Sequence, residues 1–185
     1  VVPVYNRRAF LEKTLAALCH QTYPRELCEV IIADDGSSDA PEALIDVFAH
    51  DLSLRAVRQA DRGYRLAAVR NLAIAASAAD VIVSLDCDMI PAPRLLEAHL
   101  RWFHATADPL LTIGCRKFVD ASVIPAATFR ASRNAVFDLE EIAAPERSRR
   151  RDDPRSDWRL EQFFSSDMLK RHRRPEWLAS GGNIA

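Results

Sequence analysis

Val81-Ile82-Val83-Ser84-Leu85-Asp86-Cys87-Asp88-Met89 decides how the chain is read. A short apolar, β-branched run of this kind predicts a strand buried on both faces. It ends in two carboxylates one residue apart. In extended backbone, residues i and i+2 point to the same side. Asp86 and Asp88 are therefore expected to face one point beyond the carboxyl end of a buried strand, where open α/β sheets bind ligands. Like charges so close are costly unless a cation lies between them or one is protonated. The simplest partner is a hard divalent cation, Mg2+ or Mn2+, completed by substrate phosphates. Two solvated acids at a strand end would look the same in sequence.

Working outward, strands and helices alternate. Val1 to Val4 is a β-branched run followed by a Tyr5-Asn6 loop, and Phe10, Leu11, Leu15 and Leu18 then recur at helical spacing to about Cys19. Val30 to Ala33 predicts a second buried strand, ending in the acidic turn Asp34-Asp35-Gly36-Ser37-Ser38-Asp39. Ser38 or Asp39 is expected to cap the next helix, with Pro41 in its first turn and Leu44, Ile45 and Phe48 inward. Leu54 to Val57 predicts a third strand and Asp61-Arg62-Gly63-Tyr64-Arg65 a loop. A helix follows, with Leu66, Val69, Ala73 and Ile74 facing in and Arg70 and Asn71 beside that stripe. Beyond the central stretch, Pro91 and Pro93 open a helix carrying Leu96, Leu100 and Phe103. Leu110 to Cys115 reads as a further strand, and Pro125 to Glu141 as a helix. This order is that of an α/β fold, a mostly parallel sheet flanked by helices. Right-handed crossovers gather the loops after each strand at one edge.

Charge and composition narrow the function classes. The chain has 185 residues and a formal net charge of −1, which gives no bulk electrostatic case for nucleic acid or membrane surfaces. No apolar run approaches the roughly 18 residues of a membrane span, and no signal-peptide pattern opens the chain. Cys19, Cys28, Cys87 and Cys115 are scattered, which argues against a zinc site or disulfide framework and fits a reducing cytoplasm. The five histidines lack metal-ligand spacing. Cys87 has no histidine near it in sequence and reads as a small filler rather than a nucleophile. The G-x-G-x-x-G, G-x-x-x-x-G-K-[ST] and G-x-S-x-G patterns are all missing from their expected places, which disfavours a Rossmann dinucleotide site, a P-loop and an α/β-hydrolase.

The segment Glu146 to Arg155 is charged and aperiodic. It reads as a solvated surface, or alternatively as a lid or a cationic face for an anionic acceptor. Trp158, Leu160, Phe163 and Phe164 predict a return to packed structure. Gly181-Gly182-Asn183 suggests a close approach of backbone to ligand, although a plain turn would look alike. Val1 opens inside what reads as a strand tail and Ala185 stops in a loop, so the chain is expected to be a piece of a longer protein.

Five segments in order carry a resemblance: Val2-Pro3-Val4-Tyr5-Asn6, Asp34-Asp35-Gly36-Ser37-Ser38-Asp39, Ala68-Val69-Arg70-Asn71, Asp86-Cys87-Asp88 and Gly181-Gly182-Asn183. Together they resemble family-2 glycosyltransferases of the GT-A fold. Gly63-Tyr64-Arg65, Leu85-Asp86-Cys87-Asp88-Met89-Ile90-Pro91, Asp157-Trp158-Arg159-Leu160-Glu161 and Ser180-Gly181-Gly182-Asn183 make the chain more similar to bacterial chondroitin-polymerase-like domains. The polypeptide N-acetylgalactosaminyltransferase domain is a more distant resemblance.

The resemblance implies a single GT-A domain, with residues 1–115 as its nucleotide-sugar-binding half and 116–185 as the start of its acceptor side. It implies a metal-dependent, inverting transfer from a UDP-sugar to a glycan, with Mn2+ or Mg2+ as cofactor. Pro3 and Tyr5 would wall the base pocket, and Asp34 or, preferably, Asp35 would accept the uracil N3 hydrogen. Asp61 and Arg70 would complete that pocket, with Gly182 and Asn183 at the donor site. Asp86 would lie toward ribose and metal, and Asp88 would ligate the metal. Asp34 serving only to hold its turn, and Arg70 as a plain surface residue, stand beside those roles. The general base is implied to lie beyond Ala185. The implied location is cytoplasmic, peripheral at the inner membrane through other parts. The alternatives are a non-catalytic nucleotide-sugar or glycan-binding module of the same fold, and a nucleotidyltransferase. The latter is disfavoured because no Gly-rich, Lys-bearing loop follows the first strand.

Overall fold

Three parallel strands order the first part of the chain. The computed structural model describes residues 1–105, 109–114 and 124–133, together with the backbone of 183–184. β1 (Val2–Val4) pairs with β2 (Val30–Asp34), Val2 opposite Ile32 and Val4 opposite Asp34. β2 pairs in turn with β3 (Leu54–Arg58), Ile32 opposite Ala56 and Asp34 opposite Arg58. Every residue of β2 is buried, as expected of a parallel strand covered on both faces.

Side-chain alternation sends β2 into two cores. Val30 and Ile32 join Val2, Val4, Leu11, Leu15, Leu18, Leu44 and Phe48 on one face. Ile31 and Ala33 meet Val69 and Ala73 on the other. Helix α1 (Arg8–Leu18) and helix α2 (Leu44–Phe48) thus cover the first face, and α3 (Leu66–Ala76) covers the second. Each fully buried Leu or Ile here contributes about 1.5–3 kcal/mol.

The fourth strand lies on the far side of β1. The Val1 nitrogen donates to the Val83 carbonyl at 2.8 Å, and the Leu85 N–H donates to the Val1 carbonyl at 3.0 Å. β4 is only Ser84–Leu85, antiparallel to β5 (Asn183–Ile184), with Leu85 opposite Asn183. The expected strand from Val81 is therefore shorter than its composition suggests. Val81 to Val83 are half-buried, and Leu85 alone of the run is fully buried.

Other boundaries move as well. α4 (Leu95–Phe103) forms where the two prolines place it, but its buried residue is His99, whose Nδ1 lies 2.6 Å from Thr112 Oγ1. Ile74, expected inward on α3, is 44% exposed. Ile74, one residue past the buried Ala73, is turned about 100° off the stripe that faces the sheet. Of the predicted strand from Leu110, the described residues 110–114 contain a single bridge, at Ile113. α5 (Ala126–Ala131) ends at Ser132 in extended backbone, ten residues short of the predicted helix end at Glu141 in a chain whose residues 134–141 lie outside the described set. Its Phe129 is 1% exposed and joins the α1 core. The predicted features from Glu146 through Gly182 also lie outside the described residues.

Candidate functional site

The loops after β1, β2, β3 and β4 meet at the carboxyl edge of the sheet, and polar bonds staple the first two together. Asn6 takes φ = 51°, a left-handed conformation that Asn tolerates better than most residues. Its N–H donates to Ser37 Oγ at 3.0 Å, and its Oδ1 accepts from the Ser38 N–H at 2.7 Å. Asp39 was expected to cap the helix that follows it. Instead its Oδ2 accepts from the Arg8 N–H at 2.8 Å, at the start of α1. The helical segment after Asp39 begins at Ala40 and Pro41 with no side-chain cap. The crossover brings the N–H groups at the start of α1 within reach of Asp39, where orphan donors and the helix dipole attract a carboxylate.

Asp34 and Asp35 sit at the end of β2, 2% and 5% exposed. Asp34 Oδ1 accepts from the Ser37 N–H at 2.8 Å, and its Oδ2 lies 2.9 Å from Arg58 Nη1. Of the two roles open to Asp34, this geometry displays the turn-holding one. Asp35 accepts from Gln59 Nε2 through one oxygen and from the Arg65 N–H, at 2.9 Å, through the other. Gln59, a residue the sequence reading passed over, therefore ties the β3 loop to Asp35. A lone amide at a strand end carries no periodic or motif signal by which to find it.

Tyr5 and Asp61, placed in one pocket by the resemblance, are joined: the Tyr5 hydroxyl donates to Asp61 Oδ2 at 3.0 Å. That hydrogen bond, with the carboxylate's charge, raises the pKa of the phenol above its ordinary value. The Tyr5 ring stays half-exposed, whereas Pro3 is buried within β1. Gly36 makes the approach possible. It takes φ = +90°, and a Cβ built on it would stand 2.4 Å from the Asp61 nitrogen. Only glycine lets the Asp61 loop come that close.

Arg70 and Asp86 are also brought together. Arg70 Nη2 donates to Asp86 Oδ1 at 2.6 Å, both side chains being mostly buried. Arg70 is thus no plain surface residue. Asp86 does not continue an extended strand. The Met89 N–H returns to the Asp86 carbonyl at 3.1 Å, so residues 86–89 form a turn. Asp86 and Asp88 are therefore not paired as i and i+2 of a strand; backbone curvature, not strand pleating, sets their two directions. Asp88 is exposed, with no ion-pair partner among the described residues. Cys87 between them is shut in, and burial, reinforced by Asp88 and Asp86, pushes its thiol up to about 12. That leaves it inert as a nucleophile.

Among the described residues no group of three or more His, Cys, Asp or Glu is placed to hold a metal ion. An all-protein metal cage is therefore lacking there. The donor set at the turn, one exposed carboxylate beside a second, suits a cation that takes its other ligands from phosphate and water. No helix among the described residues is long and apolar enough to cross a membrane.

Comparison with known proteins agrees with this architecture. Chondroitin synthase of Escherichia coli is 36% identical over 187 residues, which takes in 100% of this chain and 27% of that protein. Hyaluronan synthase of Pasteurella multocida is 33% identical over 189 residues, 100% of this chain and 19% of that protein. The chain thus spans about a quarter or less of the length of these two relatives. Among solved structures, the mannosyltransferase PcManGT of Pyrobaculum calidifontis, in complex with GDP-Man and Mn2+, matches with a TM-score of 0.51 and 30% identity, over 64% of this chain and 34% of that one. TarS 1-349 of S. aureus, in complex with UDP-GlcNAc, matches with a TM-score of 0.52 and 17% identity, over 83% of this chain and 50% of that one, a likeness of fold. The family model described as glycosyl transferase family 2 covers residues 1–178. With that match running through nearly the whole sequence, and the parallel sheet and its loop edge as described, the chain belongs to glycosyl transferase family 2 and has a fold of the GT-A type.

Proposed function

We propose that this chain is the donor-binding part of a metal-dependent, inverting glycosyltransferase that moves a sugar from a UDP-sugar to a growing glycan. The observation that carries the reading is the convergence at one sheet edge of Tyr5 bonded to Asp61, Asp35 fixed in place, and Arg70 bonded to Asp86 next to the exposed Asp88. Asp35 holds two N–H donors and keeps acceptor capacity for a third, which suits the N3–H of a uracil. Tyr5, its hydroxyl anchored on Asp61, offers an aromatic face beside it. The backbone of Asn183 runs antiparallel to Leu85, just before the acidic turn, which supports a place for the Gly182-Asn183 segment near the donor.

Asp88, with Asp86, would hold a divalent cation, Mn2+ or Mg2+. Such a cation supplies Lewis-acid neutralisation of the departing diphosphate. Arg70 fixes Asp86 from the other side and supplies compensating charge. Inversion by direct displacement also calls for a base that takes the acceptor hydroxyl's proton. No described residue is assigned to that task. The relatives that make chondroitin and hyaluronan support a polysaccharide as the acceptor class. The domain division at about residue 115 belongs to the same reading.

Calorimetric titration of UDP into the protein, with and without Mn2+, tests it. Binding that depends on the metal is the expected result. Binding indifferent to metal would favour the same fold serving as a non-catalytic nucleotide-sugar module.

A further inference from the structure

Thr14 lies in the middle of α1, 0% exposed, between Leu11 and Leu15 of the core. A threonine there would pass for filler. Its hydroxyl, however, stands 2.7 Å from the Cys87 carbonyl oxygen and 2.8 Å from that of Met89. It is also 3.3 Å from the carbonyl of Phe10, one turn back in its own helix. The first two carbonyls belong to the turn that presents Asp86 and Asp88, more than 70 residues away in sequence. Helix backbone at Phe10 already satisfies its carbonyl through the ladder, and Thr Oγ1 commonly reaches back to it. The carbonyls of the acidic turn have no such ladder. A hydroxyl has one hydrogen to donate, so it can serve Cys87 or Met89 at any moment and sits where it can pass between them.

We infer that Thr14 is a positioning residue for the acidic turn, holding Asp88 in place to meet the cation and diphosphate of the donor. This rests on the functional reading above. The physical case is that a turn closed by a single internal hydrogen bond, Met89 to Asp86, is a loose mount for a metal ligand. Tying its outer carbonyls to the core helix removes that looseness. α1 is itself fixed, its N-terminus on Asp39 and its apolar face against β1 and β2. Supports of this kind typically govern metal affinity by 10- to 100-fold, in rough terms.

The test compares Thr14→Val, which keeps shape and loses the donor, with Thr14→Ser, which keeps the donor. Two readouts are taken: amide hydrogen exchange at Met89, and the ratio of UDP affinities with and without Mn2+. Valine is expected to speed exchange at Met89 and to lower the metal-bound affinity by about tenfold or more, leaving metal-free affinity unchanged. Serine should track the wild type in both. Thr14→Ala serves as a second donor-less variant should valine fail to fold. A role in core packing alone would lower melting temperature and leave the affinity ratio intact, and that result overturns the inference. So does unchanged exchange at Met89 in a folded donor-less variant. A wild type whose UDP affinity ignores Mn2+ overturns the functional reading and the metal half of this inference with it. The exchange measurement then still decides whether Thr14 holds the turn.

Discussion

Two pairs of aspartates stand at the same sheet edge and meet opposite fates. Asp34 and Asp35 are buried: Asp34 accepts from Ser37 through one oxygen and ion-pairs with Arg58 through the other, and Asp35 accepts from Gln59 and Arg65. Asp86 is half-buried against Arg70, and Asp88 is exposed. The residue type is identical, so the difference lies in what surrounds it. Buried carboxylates need their charge and lone pairs met locally, and so they hold loops together. An exposed carboxylate keeps its capacity for a cation that arrives with substrate. On the proposed reading, the first pair shapes the site and the second supplies its charge toward a cation.

That contrast predicts a ranking of effects. Asp34→Ala should be the most damaging to stability, by about 2–3 kcal/mol, because it strands the buried Ser37 N–H and leaves Arg58 without its inner partner. Urea titration followed by circular dichroism measures it. A loss below about 0.5 kcal/mol would erase the distinction between the pairs. Gly36→Ala comes next. It places a Cβ 2.4 Å from backbone of Asp61 at a left-handed position, so a cost of about 2 kcal/mol is expected. It should also weaken UDP binding, as Asp61 is pushed away from Tyr5. Preserved affinity would show that the Tyr5–Asp61 bond is unrelated to the donor.

Glu29 offers an intermediate case and a smaller effect. It is paired with Arg55 at 2.9 Å and accepts from Ser77 Oγ at 3.0 Å, and the Arg55 bond holds its pKa below the ordinary carboxylate value. A carboxyl with a lowered folded-state pKa stabilises above its unfolded value, and that gain disappears as pH falls through the folded one. Glu29→Gln should therefore cost about 0.5–1 kcal/mol at pH 7 and match the wild type once the pH is well below about 4. Parallel melts at the two pH values check this. A gap that persists in acid would mean that packing, not charge, is at stake.

Much of this arrangement was legible before the structure. β1, β2, β3, α1 and α3 follow runs in which each residue's neighbours already fix its environment, as Val30 to Ala33 do. Tyr5 and Asp61, which the family resemblance assigned to one pocket, are hydrogen-bonded, and Arg70, assigned there too, bonds to Asp86, which the resemblance set toward ribose and metal. What escaped depends on contacts distant in sequence. Asp39 caps α1 rather than the helix after it, because the crossover sets Arg8 within hydrogen-bond reach. Asp86 to Met89 curl into a turn that strand composition does not announce. Thr14 and Gln59 act through hydrogen bonds to loops far along the chain, and nothing in their local pattern marks them. Ile74 shows the converse, an apolar residue at helical spacing that the sheet does not reach.

On the proposed reading, Asp88 grips a cation that the buried aspartates cannot. Electron paramagnetic resonance of free Mn2+ reads this directly. Adding UDP and wild-type protein should remove most of the free Mn2+ signal. Asp88→Asn should leave the signal at the level of Mn2+ with UDP alone while melting within about 0.5 kcal/mol of the wild type. Equal loss of signal with both proteins would contradict the account.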